Sequence, residues 1–178
     1  MKRVLTVAAL VVLVIAGGLL GDRIDTDLPI DRPVVVPGAA GHAVPIGQGA
    51  VTIHTATAGA QIEDSWGEVL DTRGRWVLVE ATLEGVVGPI DDGRWWLEDA
   101  DGRRFEATDR VEWSLPEAQP GMAVRSAVVF EVAEDIELTT ATIILTVGRY
   151  PQETAIRVPI EGGSGRLTLP EPELGEGS

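Results

Sequence analysis

The stretch RWVLVEATL, Arg75 to Leu83, decides the fold class. Val77, Val79, Ala81 and Leu83 recur at a spacing of two, while Trp76, Leu78, Glu80 and Thr82 fill the alternate positions. Successive side chains of a strand point to opposite faces, so this alternation reads as β-structure. Apolar residues on both faces at its start predict a central strand, covered on two sides.

The same grammar extends outward in both directions. Val51, Ile53 and Thr55 alternate with Thr52, His54 and Ala56, which predicts another half-buried strand. Gly67 to Gly74 reads as a turn-rich link. Trp95-Trp96-Leu97-Glu98, then Asp99-Ala100-Asp101-Gly102, then Arg103-Arg104-Phe105-Glu106-Ala107 predicts a hairpin, with Asp-Gly supplying the positive φ of its turn. Pro120-Gly121 marks a further turn before a strand from Val124 to Val132, with Val128, Phe130 and Val132 on one side. Ala141 to Val147 and Thr154 to Ile160 complete the set, with Ile156, Val158 and Ile160 inward and Pro159 arguing for a sheet edge. Some seven short strands with no amphipathic helix between them describe a sandwich. Its core should hold Val51, Ile53, Val77, Val79, Ala81, Val128, Phe130, Ile143, Leu145 and Val147.

The two ends read differently. Lys2 and Arg3 precede Val4 to Gly21, a run without charge, and Asp22, Asp25 and Asp27 follow it. Val4 to Leu20 is seventeen residues, about 25 Å as a helix, which is workable for a membrane span with snorkelling ends. Ala16-Gly17-Gly18 also offers a signal peptidase site, so a cleaved export signal and a secreted product stand as the alternative. Positive charge before the span keeps the N-terminus inside and puts the rest of the chain outside the cytoplasm. Residues 1–21 are thus a transmembrane anchor or signal, and 22–41 an extended stalk with Pro29, Pro33 and Pro37. Val34 to Val36 could already begin an edge strand. Residues 42–161 form the sandwich, and the Gly-, Pro- and Glu-rich residues 162–178 are expected to be a disordered acidic tail.

Composition removes several function classes. The formal charge is −14, and losing the two positive charges of Lys2 and Arg3 takes it to −16. A polyanion such as nucleic acid is then a poor partner. The chain has no cysteine, which rules out disulfides, thiolate metal sites and a thiol nucleophile. The thirteen arginines against one lysine, and the absence of asparagine, read as codon bias rather than chemistry.

One resemblance emerges from the hairpin and the strand beyond it. Asp99-x-x-Gly102 before the aromatic Phe105, then Pro120-Gly121 leading a strand that ends Phe130-Glu131-Val132, resembles an uncharacterised extracellular immunoglobulin-like domain of Gram-positive, including actinobacterial, surface proteins. That family is related in fold to a mycobacterial secreted immunoprotective antigen. The resemblance covers about residues 42–160 and implies an immunoglobulin-like antiparallel β-sandwich, here preceded by one N-terminal transmembrane helix. It implies no catalytic or binding residue. Many relatives are anchored through a lipidated cysteine, a role that the N-terminal apolar segment must take in this chain.

No catalytic constellation is visible. Glu98, Asp99, Asp101 and Gly102 loosely match a calcium loop but lack its further acidic positions and closing Glu, and a plain turn explains them. His42 and His54 lie in different segments and would need carboxylates to complete a metal site. Ser65, Ser114 and Ser126 sit in no nucleophile elbow, and Asp91-Asp92 is one carboxylate pair among twenty-eight acids. No metal or cofactor is expected.

The tryptophans carry the binding hypothesis. Trp95 and Trp96 are adjacent on a strand, so they point to opposite faces, and one of them must be outside or covered by a loop. Arg94, Trp95, Trp96, Arg103 and Arg104 form the densest tryptophan–arginine cluster of the chain, the combination most enriched at interface hot spots. The competing view is that the arginines merely neutralise Glu98, Asp99, Asp101 and Glu106 across the hairpin. The sequence therefore points to a membrane-anchored extracytoplasmic module without catalytic activity that binds an envelope or membrane protein. The alternative is a binder of cell-wall polysaccharide or a small ligand.

Overall fold

The computed structural model describes residues 34–90, 93–113, 115–136, 139–147, 152–161, 163 and 165–177. The apolar segment 1–21 and the stalk through residue 33 lie outside them, as do Asp91, Asp92 and Ser114. Among the described residues there is no helix able to cross a membrane.

Eleven strands follow in order: β1 (Val34–Ala39), β2 (Val44–Ile46), β3 (Gly49–Glu63), β4 (Val69–Gly85), β5 (Arg94–Glu98), β6 (Arg104–Glu106), β7 (Met122–Val132), β8 (Thr140–Val147), β9 (Gln152–Glu161), β10 (Arg166–Thr168) and β11 (Glu173–Glu176). One sheet runs β11-β7-β4-β3, with β2 and β10 also on β3. The other runs β6-β5-β8-β9-β1. The sheets join where Ala56 and Thr57 of β3 pair in parallel with Ile160 and Glu161 of β9. The fold is an all-β sandwich.

Burial follows the alternation that the sequence shows. Val77, Val79, Ala81 and Leu83 of β4 face Val51, Ile53, Val128, Phe130, Ile143, Leu145 and Val147 in the main core, and all are buried. Strand β4 is central, between β3 and β7. Its second face is also covered: Trp76 and Leu78 join Ile62, Ala127 and Val129 in a separate apolar cluster closed by Val111 and Leu169. A strand apolar on both sides needs this second cover, since exposed apolar area costs about 25 cal/mol per Å².

Four expectations are corrected. Residues 34–39, expected in the stalk, belong to the sandwich, because Val34 to Ala39 pairs in parallel with Gln152 to Arg157. The described residues of the tail carry two strands: Arg166 to Thr168 pairs with Gln61 to Glu63, and Glu173 to Glu176 pairs with Arg125 to Met122. Its composition argues for disorder only locally; the edges of β3 and β7 supply the backbone partners. The link Gly67–Gly74 belongs largely to β4, which reaches the hairpin tip through a register shift between Gly59 and Gln61. Strand β9 is not an edge strand. Pro159 lies just past the end of β1 pairing at Arg157 and before β3 pairing at Ile160, where its missing N–H is harmless.

Candidate functional site

The β5–β6 hairpin forms as its sequence requires. Gly102 closes the turn at φ 79°. Asp99 organises it: its Oδ1 accepts the backbone N–H of Asp101 at 3.0 Å and of Arg103 at 2.8 Å, and its Oδ2 accepts Nε of Arg103 at 2.7 Å. The Asp99 side chain is only 2% exposed. That burial works to raise its pKa, but the Arg103 side chain and the backbone donors outweigh it and hold the carboxyl below the usual range. Both oxygens are thus committed to the turn, which is a structural role rather than a cation site. Among the described residues no three metal-ligating side chains converge.

The five sequence-predicted binding residues separate. Trp95 is 1% exposed and lies in the main core beside Leu97. It has no face to offer a partner, which removes it from the candidate site. Arg103 is tied to Asp99 and reaches Asp135 at 3.2 Å, and Arg104 bonds Glu98 at 2.7 Å. These two arginines neutralise acids of their own neighbourhood, as the competing reading holds. Trp96 is half-buried and Arg94 exposed, both on the outer face of β5.

The outer faces of the two sheets differ. On the β4 sheet, the segment 108–113 and a C-terminal strap cover the apolar half: the strap leaves β10, crosses β4 and ends in β11, burying Leu169 on the way. The remainder is polar, with His54 Nε2 at 2.8 Å from Thr82 Oγ1 and Arg125 paired to Glu80 at 2.7 Å. On the β5 sheet, pairing places Glu106, Trp96, Ile144, Ala155 and Pro37 in one cross-strand row. The next rows carry Arg94 with Thr146, and Glu98 with Thr142 and Arg157. Arg94, Arg104, Glu106, Arg157 and Pro37 are exposed, Trp96 and Ala155 are partly so, and Ile144 between them is buried.

A third feature escaped the sequence reading. The β3–β4 hairpin ends in a tip at Asp64 to Glu68, where Asp64 Oδ1 accepts the backbone N–H of Trp66 at 2.9 Å and of Glu68 at 2.8 Å. Gly67 supplies the positive φ of 81°. Trp66 stands 79% exposed on this turn, and its indole Nε1 donates to Glu112 Oε2 at 3.0 Å. Beside it, Ala107, Thr108, Asp109, Val111, Glu112 and Trp113 line an open cleft of about 530 Å³. The run Asp64-Ser65-Trp66-Gly67, just ahead of the expected turn-rich link, was the available signal.

No protein-family model matches the chain, and no curated protein matches it in sequence. Two solved structures are similar in shape. The secreted protein MPT63 of Mycobacterium tuberculosis aligns over 70% of this chain and 96% of its own, with 12% identity and a TM-score of 0.50. An uncharacterised β-sandwich protein of Clostridium difficile 630 aligns over 71% of this chain and 95% of its own, with 8% identity and a TM-score of 0.48. At such identities the likeness to MPT63 is one of fold: the chain is a β-sandwich of that architecture.

Proposed function

We propose that this protein is a non-enzymatic interaction module of the cell envelope, held at the membrane through residues 4–20 with its sandwich outside the cytoplasm. The immunoglobulin-like assignment and the kinship with Gram-positive surface domains belong to the same reading. The N-terminal apolar run supports the location, and the secreted character of MPT63 agrees with it.

The observation that carries the binding role is the asymmetry of the two outer faces. The chain spends its own C-terminal strap on the apolar face of the β4 sheet, whereas on the β5 sheet Trp96 and Ala155 stay partly exposed and Pro37 exposed around a buried Ile144. An aromatic anchor in a ring of charged residues is the anatomy of an interface centre. The partner is an envelope or membrane protein that seats an apolar side chain on Trp96 and meets Arg94 at the rim.

Photo-crosslinking from position 142, beside this row, should trap one dominant membrane or wall protein in intact cells. Trp96→Ala with Arg94→Ala should weaken capture about tenfold, because truncating a hot spot costs more than about 1 kcal/mol. A folded double variant that captures as well as the parent would defeat the assignment. Protease added to intact cells should remove the sandwich; its survival there would refute the extracytoplasmic location.

A further inference from the structure

We propose a second binding site, at the cleft lined by residues 107–113 and flanked by Trp66 through its bond to Glu112, for an organic cation: the ammonium or guanidinium group of a lysine or arginine side chain on a protein partner. The site lies on the β4-sheet side, where Val111 packs into the cluster around Trp76, whereas Trp96 is on the outer face of β5 in the other sheet.

Three observations converge on this chemistry. Trp66 is the most exposed aromatic among the described residues, and it is fixed rather than loose: the Asp64 side chain holds its backbone and Glu112 holds its indole N–H. With the ring edge committed, what remains for a ligand is the π-face, which attracts cations. The cleft beside it, about 530 Å³, is large enough for such a side chain and is lined by Trp113, Thr108 and the acidic residues Asp109 and Glu112. Trp113 is itself anchored, its Nε1 donating to Thr108 O at 2.7 Å.

Charge selects among ligands. Arg110 is the one basic residue in the segment 107–113, and it turns away. Its guanidinium carbon sits 5.2 Å from the centroid of the Trp76 ring, and it donates to Glu131 and to Asp71 O. Asp109 and Glu112 thus line the cleft with Arg110 engaged elsewhere. An anion is repelled here, and a neutral sugar gains stacking alone. A cation gains both the indole face and the carboxylates.

The test uses the full-length chain in detergent micelles, with the indole N–H resonances of Trp66 and Trp113 followed by NMR. Nα-acetyl-arginine amide, Nα-acetyl-lysine amide, tetramethylammonium and N-acetylglucosamine serve as probes. The two amides should shift both resonances saturably, and added salt should weaken them. Glu112→Gln with Asp109→Asn, which keeps an acceptor for Trp66, should weaken binding about fivefold. On the Trp113 resonance, Trp66→Ala should abolish binding and Trp66→Phe should restore most of it. Saturation by the sugar but not by the cations would overturn the proposal, and so would unchanged affinity in the double variant or no shift with any probe. Tighter binding of tetramethylammonium than of either amide would overturn the assignment to a basic side chain.

Discussion

Trp95 and Thr154 lie in one cross-strand row, with Leu145 between them, and each buries a polar atom that has no hydrogen-bond partner. The atoms are the indole Nε1 and the hydroxyl Oγ1. A buried hydroxyl without a partner forfeits its water at a cost of about 1–3 kcal/mol. Thr154→Val, which keeps the shape and removes the hydroxyl, should therefore stabilise the sandwich by about 1 kcal/mol. Urea unfolding at neutral pH measures this, and a lower midpoint with unchanged slope would contradict it.

His54 should make stability depend on pH near neutrality. Burial depresses its pKa, Arg125 adds to the effect, and Glu80 opposes it. The folded pKa thus lies below the unfolded value of about 6.5, and between the two the unfolded chain binds more protons. The contribution is complete above about pH 6.5 and is lost as pH falls from there through the folded pKa. His54→Gln should flatten this part of the stability profile, with parent and variant compared between about pH 7.5 and pH 5. Parallel profiles would count against it.

The C-terminal strap should be separable from the rest of the fold. A Cβ at Gly59 would stand 2.7 Å from both Gly165 O and the Leu167 side chain, so Gly59→Ala must push β10 outward. Leu169→Ala empties part of the cluster around Trp76 and should cost about 2 kcal/mol. In both variants hydrogen exchange should speed up over residues 166–176 while β8 and β9 stay protected. Uniform acceleration across the domain would show that the strap is not a separate unit.

Asp99 should matter more to its hairpin than its partners do. Asp99→Ala removes the acceptor for two backbone N–H groups and one guanidinium, so the amides of Asp101 and Arg103 should exchange faster and the melting temperature should fall. Asp99→Asn keeps an acceptor oxygen and should fall less. The carboxylate's contribution is present above its unfolded pKa and lost as pH drops through its lowered folded value, so parent and Asp99→Asn should converge in acid. Equal exchange in parent and Asp99→Ala would refute the role.

What could be read beforehand was local. The two-sided burial of β4 follows from Trp76 and Leu78 alternating with Val77 and Val79, and the β5–β6 turn from Asp-Gly. Adjacent Trp95 and Trp96 had to point apart; Leu97, in phase with Trp95, was the sign that Trp95 is the inner one. The strap was not legible, because Leu167, Leu169 and four exposed residues of β11 gain order only from edges that β3 and β7 leave open far away in sequence. Trp66 escaped for a similar reason. Its partner Glu112 is forty-six residues distant, and no pattern in the turn announces it.

The parallel pairing of β1 with β9 also has a mechanical side. Six residues of β1 run alongside β9, and Val34 lies at the end of the sandwich away from the Trp66 tip. A pull on the chain ahead of Val34, opposed by a grip at Trp66, acts along the strand axis. It loads the whole β1–β9 ladder in shear, so the bonds must yield together instead of unzipping one at a time. Survival under such force depends on the unfolding rate rather than on equilibrium stability. A domain joined to its surroundings in this way can hold under tension even where its resting stability is modest.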